Sequence, residues 1–536
     1  MKKYLLSLLM VAMFGINSFA QMAMPTPMDP NVRYGKLDNG LTYYIRHNEK
    51  PDNRADFYIA QKVGSVLEEE SQRGLAHFLE HMAFNGTTNL PGMTLRNYLQ
   101  SRGIKFGENL NAWTAIDQTV YMVTNVQTDL PGLVDTCLLI LHDWSSFIAL
   151  EDAEIDNERG VILEEERTTG GANRRVMEQL LPKMYPGSPY GERLPIGTRE
   201  VIANFKYDEL RDYYKKWYRP DLQGLIIVGD IDVDAIEARI KEMFADIPAP
   251  VNPAERTQFM IEDNAEPIVA VASDAELTSY QLSIYNKHEA TPDSLKNDLN
   301  YWMAEYILSL ISQMQINRLQ ELVQKPNPPF VYGYSYYGDY YVAPTKEAWT
   351  SMAVANGVDG IDDAMTALVT ENKRMQQYGF TASEYERAKA DFMKSIESAY
   401  NERNNTENSK HFDACLDHFL TNEPMMGIEM EYQLYQQLIP NIPLEAINAF
   451  ANQLIREDNI VITLSAPQKE GETLPTEEEL LAMFNNAKAM EVEPYQEEVF
   501  DGPIIPELPK AGTVKKETTN ETFGTTEWTL SNGMKV

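Results

Sequence analysis

Short stretches of alternating apolar and polar residues recur through the first 230 positions, separated by longer stretches with apolar residues three or four positions apart. Alternation is typical of strands, and the wider spacing is typical of helices. The segment 35–46 is predicted as a hairpin, because Asn39-Gly40 is a strong two-residue turn signal. Further strands are predicted over 56–63, 119–126 and 224–229. Helices are predicted around His77 and over 94–102, 133–148, 153–169 and 208–217, with a loop over 182–197.

A proline-rich segment, 247–253, interrupts this pattern and predicts a domain boundary. Beyond it, strands are predicted over 268–272, 281–285, 330–341 and 348–355, with a long helix over 299–323. Tyrosines at alternating positions of 330–341 favour a two-faced strand, and a ligand-binding platform stays open as an alternative. The mixture predicts the α+β class, with two similar domains, 21–250 and 251–485, each an antiparallel-rich sheet covered by helices.

The two ends of the chain differ from this core. Two lysines, an apolar run and small residues before the predicted cleavage after Ala20 make residues 1–20 a predicted secretory signal peptide. Residues 486–528 are acidic and contain proline and threonine, which predicts an extended linker. The last segment, 529–536, repeats the earlier hairpin pattern at Asn532-Gly533. We therefore expect it to begin a second half of the same kind.

The formal net charge of −34 argues against nucleic acid as a partner, because phosphate binding needs clustered Lys and Arg. The acidic surface is either simply solvated or a field that attracts cationic peptides, and both interpretations stay open. No segment of the mature chain is both long and uncharged enough to span a membrane. Cys137 and Cys415 lie far apart, and buried free thiols are favoured over a disulfide.

The strongest chemical signal is the pentapeptide His77-Phe78-Leu79-Glu80-His81. On a helix, histidines at i and i+4 lie one turn apart and can reach one metal ion, with Glu80 beside them. The order is that of the inverted zinc-peptidase signature H-x-x-E-H. Apolar residues at helical spacing support the helix, and Asn85-Gly86 is predicted as its left-handed C-cap. The alternative is a helix whose histidines are solvated or packed in the core.

A catalytic zinc usually takes three protein ligands, so one more donor is needed. The acidic segment 158–166 is the best source. On a helix, Glu158 and Glu165 share a face because they are seven residues apart, whereas Glu164 and Glu166 each lie about 100° away. Spacing favours this pair without deciding which member binds metal. A solvated acidic face is the alternative.

The segment 74–87, GLAHFLEHMAFNGT, closely resembles the zinc-site segment of the pitrilysin/insulysin family of zinc peptidases. The resemblance runs from about Tyr34 to Asn485 and is most specific in the first domain. It implies two domains of the LuxS/MPP-like metallohydrolase kind. Further matching stretches are 111–114, 158–165, 189–191, 195–198 and 217–220. One departure is that the spacing from His81 to Glu165 is several residues longer than the family's usual spacing.

The resemblance implies one zinc ion per chain, bound by His77, His81 and Glu165, with Glu80 as the general base. Glu158 would support the site as a neighbouring carboxylate, and Asn111 and Ala112 would bind the backbone of a peptide substrate by strand addition. A second half, linked covalently or supplied by another subunit, would close a chamber and contribute an Arg and a Tyr. The function so implied is that of a periplasmic zinc metalloendopeptidase for oligopeptides or unfolded polypeptides. A catalytically silent peptide-binding or assembly subunit is the alternative.

Overall fold

The computed structural model describes residues 24–497, 502, 505, 507 and 510–536. The predicted signal peptide, 1–20, therefore lies outside the described residues. The chain divides into two compact units, and the boundary falls between Glu493 and Pro494. Both large sheets belong to the first unit.

Six strands form the first sheet. They are β1 (Val32–Lys36), β2 (Thr42–His47), β3 (Arg54–Gln61), β4 (Leu110–Thr114), β5 (Thr119–Gln127) and β6 (Gln223–Gly229). Their order across the sheet is β1-β2-β6-β3-β5-β4. Strands β2 and β6 run parallel, and the other neighbours are antiparallel. Strand β4 is consequently an edge strand with a partner on one side.

Helices pack around this sheet. They are α1 (Leu75–Met82), α2 (Thr94–Ser101), α3 (Leu133–Ser146), α4 (Asp152–Thr169), α5 (Ala172–Met184), α6 (Arg199–Asn204), α7 (Tyr207–Trp217) and α8 (Val233–Met243). Helix α1 lies against β4 and β5, and α3 lies against β3 and β5. Leu75, Phe78 and Leu79 of α1 are fully buried, and each such side chain contributes roughly 1.5–3 kcal/mol. Because these three side chains face the core, His77 and His81 lie on the other side of α1.

The second sheet contains β7 (Ile268–Asp274), β8 (Tyr280–Glu289), β9 (Tyr332–Tyr340), β10 (Ala343–Ala355) and β11 (Ile460–Pro467), in the order β7-β11-β8-β10-β9. Its helices are α9 (Asp293–Lys296), α10 (Leu299–Val323), α11 (Ile361–Tyr378), α12 (Ala382–Asn401), α13 (Asn408–Thr421), α14 (Ile428–Leu438), α15 (Leu444–Leu454) and α16 (Glu477–Ala489). The tyrosine-rich segment forms strand β9, as the alternation predicts.

The second sheet repeats the topology of the first without its outer strand β1. In the first sheet the parallel pair β2 and β6 is followed by the antiparallel strands β3, β5 and β4. In the second sheet the parallel pair β7 and β11 is followed by the antiparallel strands β8, β10 and β9. Helix α10 precedes β9 as α1 precedes β4 in the chain, and α10 contains no histidine. The structure confirms the predicted fold class, two helix-covered antiparallel-rich sheets, and places the histidine pair in the first of them.

In each domain, one helix packs against the sheet of the other domain. Helix α13 lies on the first sheet, where Phe412 stacks on Tyr58 with ring centroids 3.7 Å apart. Helix α5 lies against β7 of the second sheet. Gly224 in β6 allows the close approach of α13, since a Cβ there would lie 2.8 Å from the ring of Phe419. The two sheets are therefore tied together by exchanged helices.

Three local predictions differ from the structure, wholly or in part. The predicted loop 182–197 begins inside α5, which runs to Met184 and holds Pro182 in its last turn. Asn85-Gly86 is not a left-handed C-cap: α1 ends at Met82, and the chain continues through 3₁₀-type bonds from Phe84 N to His81 O (3.0 Å) and from Asn85 N to Met82 O (3.1 Å). Gly86 has φ +132°, and a Cβ there would lie 2.6 Å from Gly92 N. This glycine serves a close backbone approach.

The third concerns the segment 486–528, which is not an extended linker throughout. Helix α16 continues to Ala489, and β12 (Val514–Asn520) pairs with β13 (Thr525–Leu530). Beyond β13, Leu530 N donates to Met534 O (2.8 Å) and Gly533 N donates to Leu530 O (2.9 Å).

The Asn532-Gly533 turn therefore has the bonding of the first hairpin. There, Leu37 N donates to Leu41 O (2.8 Å) and Gly40 N donates to Leu37 O (2.9 Å). The glycine of each turn has positive φ, +100° at Gly40 and +86° at Gly533. The repeat seen in the sequence is thus also a repeat of local geometry.

Two further expectations concern the cysteines and membrane spans. Cys137 and Cys415 are both buried and both free, as favoured from the sequence. Among the described residues, no helix combines the length and apolar character needed to cross a membrane.

Candidate metal centre

Helix α1 and helix α4 bring two imidazoles and a carboxylate together. The Nε2 atom of His77 lies 3.7 Å from Glu165 Oε1, and Nε2 of His81 lies 3.2 Å from Glu165 Oε2. One donor atom from each of the three lies within 4.8 Å of the others, and in the described part of the chain no other group of three His, Cys, Asp or Glu meets this condition. Two neutral imidazoles and one carboxylate suit a zinc ion with an open fourth position.

The neighbouring glutamates on α4 point elsewhere. Glu164 forms a two-pronged ion pair with Arg167 (2.6 and 2.9 Å) on the exposed side of the helix. Glu166 pairs with Arg174 (3.1 Å) and Arg199 (2.6 Å). The geometry therefore agrees with the helical-face argument that favoured Glu158 and Glu165 over Glu164 and Glu166.

Glu158 lies behind His81. Its Oε1 is 2.8 Å from His81 Nδ1, and its Oε2 accepts a hydrogen bond from Asn85 Nδ2 (2.5 Å). Although burial opposes the charge, these hydrogen bonds lower the pKa of Glu158. A carboxylate that accepts from Nδ1 holds the ring in the tautomer whose Nε2 lone pair is free for a metal. Asn85 was missed as a site residue, because the sequence offered it as a helix cap.

The two histidines differ in their affinity for a proton. Burial, helped by the neighbouring His81, lowers the pKa of His77 to about 4. Burial also opposes a charge on His81, but hydrogen bonding with Glu158 and Glu165 outweighs it and raises the pKa of His81 to about 9. A metal ion at this position competes with that proton, because only neutral imidazole is a ligand.

Glu80 lies beside the donors on the same helix and is 7% exposed. Its Oε2 accepts a hydrogen bond from Thr114 Oγ1 at 2.5 Å. Burial raises the pKa of Glu80, although the hydrogen bond from Thr114 works against this. A carboxylate with a raised pKa next to a metal position is suited to proton transfer.

The N-terminus of α1 is held by a glutamate that the sequence gave no reason to select. Glu68 Oε2 accepts from Gly74 N (2.9 Å) and Glu68 Oε1 accepts from Ala76 N (2.8 Å), which satisfies two backbone donors of the first turn. Burial raises the pKa of Glu68 to about 8, against these two bonds. Glu68 is the first of three consecutive glutamates, and nothing in the pattern distinguishes it from Glu69 and Glu70.

Asn111 and Ala112 lie on the edge strand β4, next to α1. Backbone bonds join Asn109 to Thr124 and Ala115 to Gln118, both at 2.7 Å. Because bonded pairs alternate along an antiparallel ladder, the N–H and C=O of Ala112 point away from β5 toward the open edge. The Ala112 N–H is covered by the residue's own neighbour, Asn111 Oδ1, at 3.0 Å.

Two family models match the chain. The model described as "Insulinase (Peptidase family M16)" matches residues 44–195, and "Peptidase M16 inactive domain" matches residues 204–392. The first match covers the three donors and Glu80. The chain belongs to peptidase family M16. This is the family of pitrilysin and insulinase, and the recognition made from segment 74–87 is confirmed.

The M16 relatives include zinc proteases whose sequences align with nearly the whole of this chain. A "Zinc protease PQQL-like" from Arabidopsis thaliana is 32% identical over 505 residues, which are 94% of this chain and 49% of the relative. A "Probable zinc protease PqqL" from Escherichia coli is 28% identical over 96% of this chain and 55% of the relative. The chain thus spans about half the length of these relatives.

Two crystal structures of the periplasmic protease PqqL from Escherichia coli resemble this M16 chain. The structure of its first half has a TM-score of 0.80 at 26% identity and covers 89% of this chain and 100% of that one. The structure of the longer protein has a TM-score of 0.80 at 25% identity and covers 95% of this chain and 56% of that one. Similarity to zinc proteases in both sequence and fold supports a peptidase function.

Proposed function

We propose that this chain carries the zinc site of a metalloendopeptidase that hydrolyses oligopeptides or unfolded polypeptides. The observation that carries the proposal is the convergence of His77 Nε2, His81 Nε2 and the Glu165 carboxylate, with the buried Glu80 beside them. A non-catalytic role gives no reason for a buried carboxylate next to three metal-type donors.

In this proposal His77, His81 and Glu165 hold one zinc ion, and Glu158 fixes the orientation of His81. Zinc held in this way supplies a Lewis acid that makes water more acidic and polarises a peptide carbonyl. Glu80 accepts the proton of the attacking water and later donates a proton to the leaving amine. Burial raises the pKa of Glu80, which suits both steps.

The outward-facing N–H and C=O of Ala112 support a role for β4 in binding the substrate. A peptide in extended conformation can add to this open edge and form backbone hydrogen bonds that do not depend on its sequence. Asn111 Oδ1 now covers the Ala112 N–H, so Asn111 has to release that group when a peptide binds. Side chains of the peptide would then be recognised by other parts of the site.

A second half is part of the proposal. The repeated turn at Asn532-Gly533 has the hydrogen bonds of the turn at Asn39-Gly40, and the chain spans about half of its relatives. We propose that residues 529–536 begin a homologous second half, and that this second half closes a chamber over the zinc site. The predicted signal peptide, 1–20, and the periplasmic location stated for PqqL of Escherichia coli support a periplasmic location.

The test measures zinc content and cleavage of a quenched fluorescent peptide with the whole protein as its gene encodes it. Glu80→Gln is expected to retain one zinc per chain and to lose about 10²- to 10⁴-fold in turnover. His77→Ala and Glu165→Gln are expected to lose zinc. Glu164→Gln is the matched control, because Glu164 lies on the same helix and pairs with Arg167.

The outcomes separate the alternatives. Zinc bound by the wild-type protein without turnover of any peptide would favour a silent binding subunit. Loss of zinc in Glu80→Gln, or activity retained by it, would contradict the role of Glu80. Zinc loss in Glu164→Gln equal to that in Glu165→Gln would contradict the ligand assignment.

A further inference from the structure

The hydroxyl group of Thr114 contacts the carboxylate of Glu80 from the edge strand β4. The Thr114 Oγ1 to Glu80 Oε2 distance is 2.5 Å. In the described part of the chain this is the hydrogen bond that reaches the Glu80 side chain, which is 7% exposed. A buried carboxylate fixed through one oxygen keeps its other oxygen, Oε1, for a different partner.

Thr114 is itself held in place from two sides. It is paired with Thr119 of β5, and the following residue, Ala115, closes a tight turn through its N–H to Gln118 O (2.7 Å). On the other side, Val66 N donates to Ile116 O (2.7 Å). A β-branched side chain on a fixed strand has few rotamers available. The backbone around Thr114 is therefore held by hydrogen bonds of its own, in addition to the contact of its hydroxyl with Glu80.

Strand β4 joins this contact to the proposed peptide-binding edge. Ala112 and Thr114 are two residues apart, so their side chains share a face and their backbone groups both point to the open edge. The strand that would bind the substrate backbone thus also carries the group that contacts Glu80. A displacement of β4 would therefore shift the bound peptide and disturb the hydrogen bond to Glu80 at the same time.

We propose that Thr114 is a positioning residue that orients Glu80 for proton transfer through its hydroxyl group. This inference rests on the proposed function, since it takes Glu80 to be the general base. Hydrogen bonding at Oε2 restricts rotation of the carboxylate and directs Oε1 to the proton that is transferred. Catalysis by a positioned group is sensitive to such orientation, and small misplacements lower turnover steeply.

The test compares Thr114→Val, which keeps the shape and removes the hydroxyl, with Thr114→Ser, which keeps the hydroxyl. Steady-state cleavage of a fluorescent peptide that the wild-type protein cleaves, zinc content and unfolding midpoint are measured on the whole protein. Thr114→Val is expected to lower kcat by about 10- to 100-fold with KM within about two-fold and zinc unchanged. Thr114→Ser is expected to keep most of kcat.

Thr119→Val is the matched control. Thr119 lies opposite Thr114 in the register, and its hydroxyl donates to the backbone carbonyl of Val63 (2.9 Å) instead of to Glu80. This variant is expected to leave kcat within about two-fold of wild type. If Thr114→Val does not fold, Thr114→Ala replaces it, with the same expected loss of kcat and the same rescue by serine.

Three results would overturn the inference: kcat of Thr114→Val close to wild type, a loss in Thr114→Ser as large as in Thr114→Val, or equal losses in Thr114→Val and Thr119→Val. Failure of the proposed function looks different. In that case Glu80→Gln itself keeps its turnover, or wild type shows none, whatever the residue at position 114.

Discussion

His81 Nδ1 lies 2.8 Å from Glu158 Oε1, so the ring nitrogen that faces Glu165 is Nε2. Residues 77 positions apart in the sequence therefore set the tautomer and the direction of one proposed ligand. The same carboxylate accepts from Asn85, which ties the end of α1 to α4.

From this contact we expect Glu158→Gln to weaken zinc binding about 10- to 100-fold, the usual cost of removing a carboxylate that supports a histidine ligand. Turnover at saturating zinc should fall much less than in Glu80→Gln. Competition with a chelator of known affinity measures the change. Glu164→Gln on the same helix serves as the control, and an equal change in both variants would contradict the role of Glu158.

The open edge of β4 gives a prediction about substrate affinity. Ala112→Pro removes the outward N–H without removing a bond to β5, so we expect KM to rise about ten-fold or more while zinc content stays the same. Ala112→Gly retains the N–H and should change KM by less than about three-fold. Peptide titration of the inactive Glu80→Gln background gives the same comparison as a direct binding measurement, and equal affinities for proline and glycine would exclude strand addition here.

The glutamate at the start of α1 gives a prediction about stability. Glu68→Ala leaves two buried backbone N–H groups of α1 without an acceptor, which costs roughly 1–3 kcal/mol of unfolding free energy. The exposed Glu108→Ala should change it by less than about 0.5 kcal/mol. Urea unfolding of zinc-free protein measures both. Equal effects would show that the contacts to Gly74 and Ala76 contribute little.

A pH-dependent contribution is expected from His142, away from the metal centre. Its Nδ1 is 3.1 Å from Asp143 and its Nε2 is 2.9 Å from Asp246. Burial opposes the charge, but these hydrogen bonds raise the pKa of His142 above its usual value of about 6.5. The stabilisation is then complete below about pH 6.5 and is lost as the pH rises through the folded-state pKa.

We therefore expect His142→Gln to lower the unfolding midpoint more at about pH 6 than at about pH 9. The same substitution at the exposed His47, His47→Gln, is measured at both pH values as the control. A larger effect of His142→Gln at the higher pH would contradict the assignment.

The local helix and strand pattern was sufficient to predict the fold class, the shared face of His77 and His81, and the shared face of Glu158 and Glu165, because periodicity fixes which side chains share a face. The choice of Glu165 as the partner of the two histidines came from the family resemblance. It could not distinguish Glu68 from its two acidic neighbours, since only the tertiary path brings Glu68 to the first turn of α1. Thr114 was visible in the sequence as part of a matching stretch, but its contact with Glu80 depends on how β4 lies against α1. Gly86 was misjudged because a close backbone approach and a helix cap both favour glycine.

The exchange of α5 and α13 between the two sheets has a consequence for how this protein can be divided. An expression fragment that stops near Pro250 would retain every proposed zinc ligand, yet it would leave Tyr44, Tyr58 and Ile226 uncovered by α13. Such an apolar face promotes aggregation when it meets water. A soluble minimal fragment therefore has to keep the second domain, 251–485, because its helix α13 shields the apolar face of the first sheet.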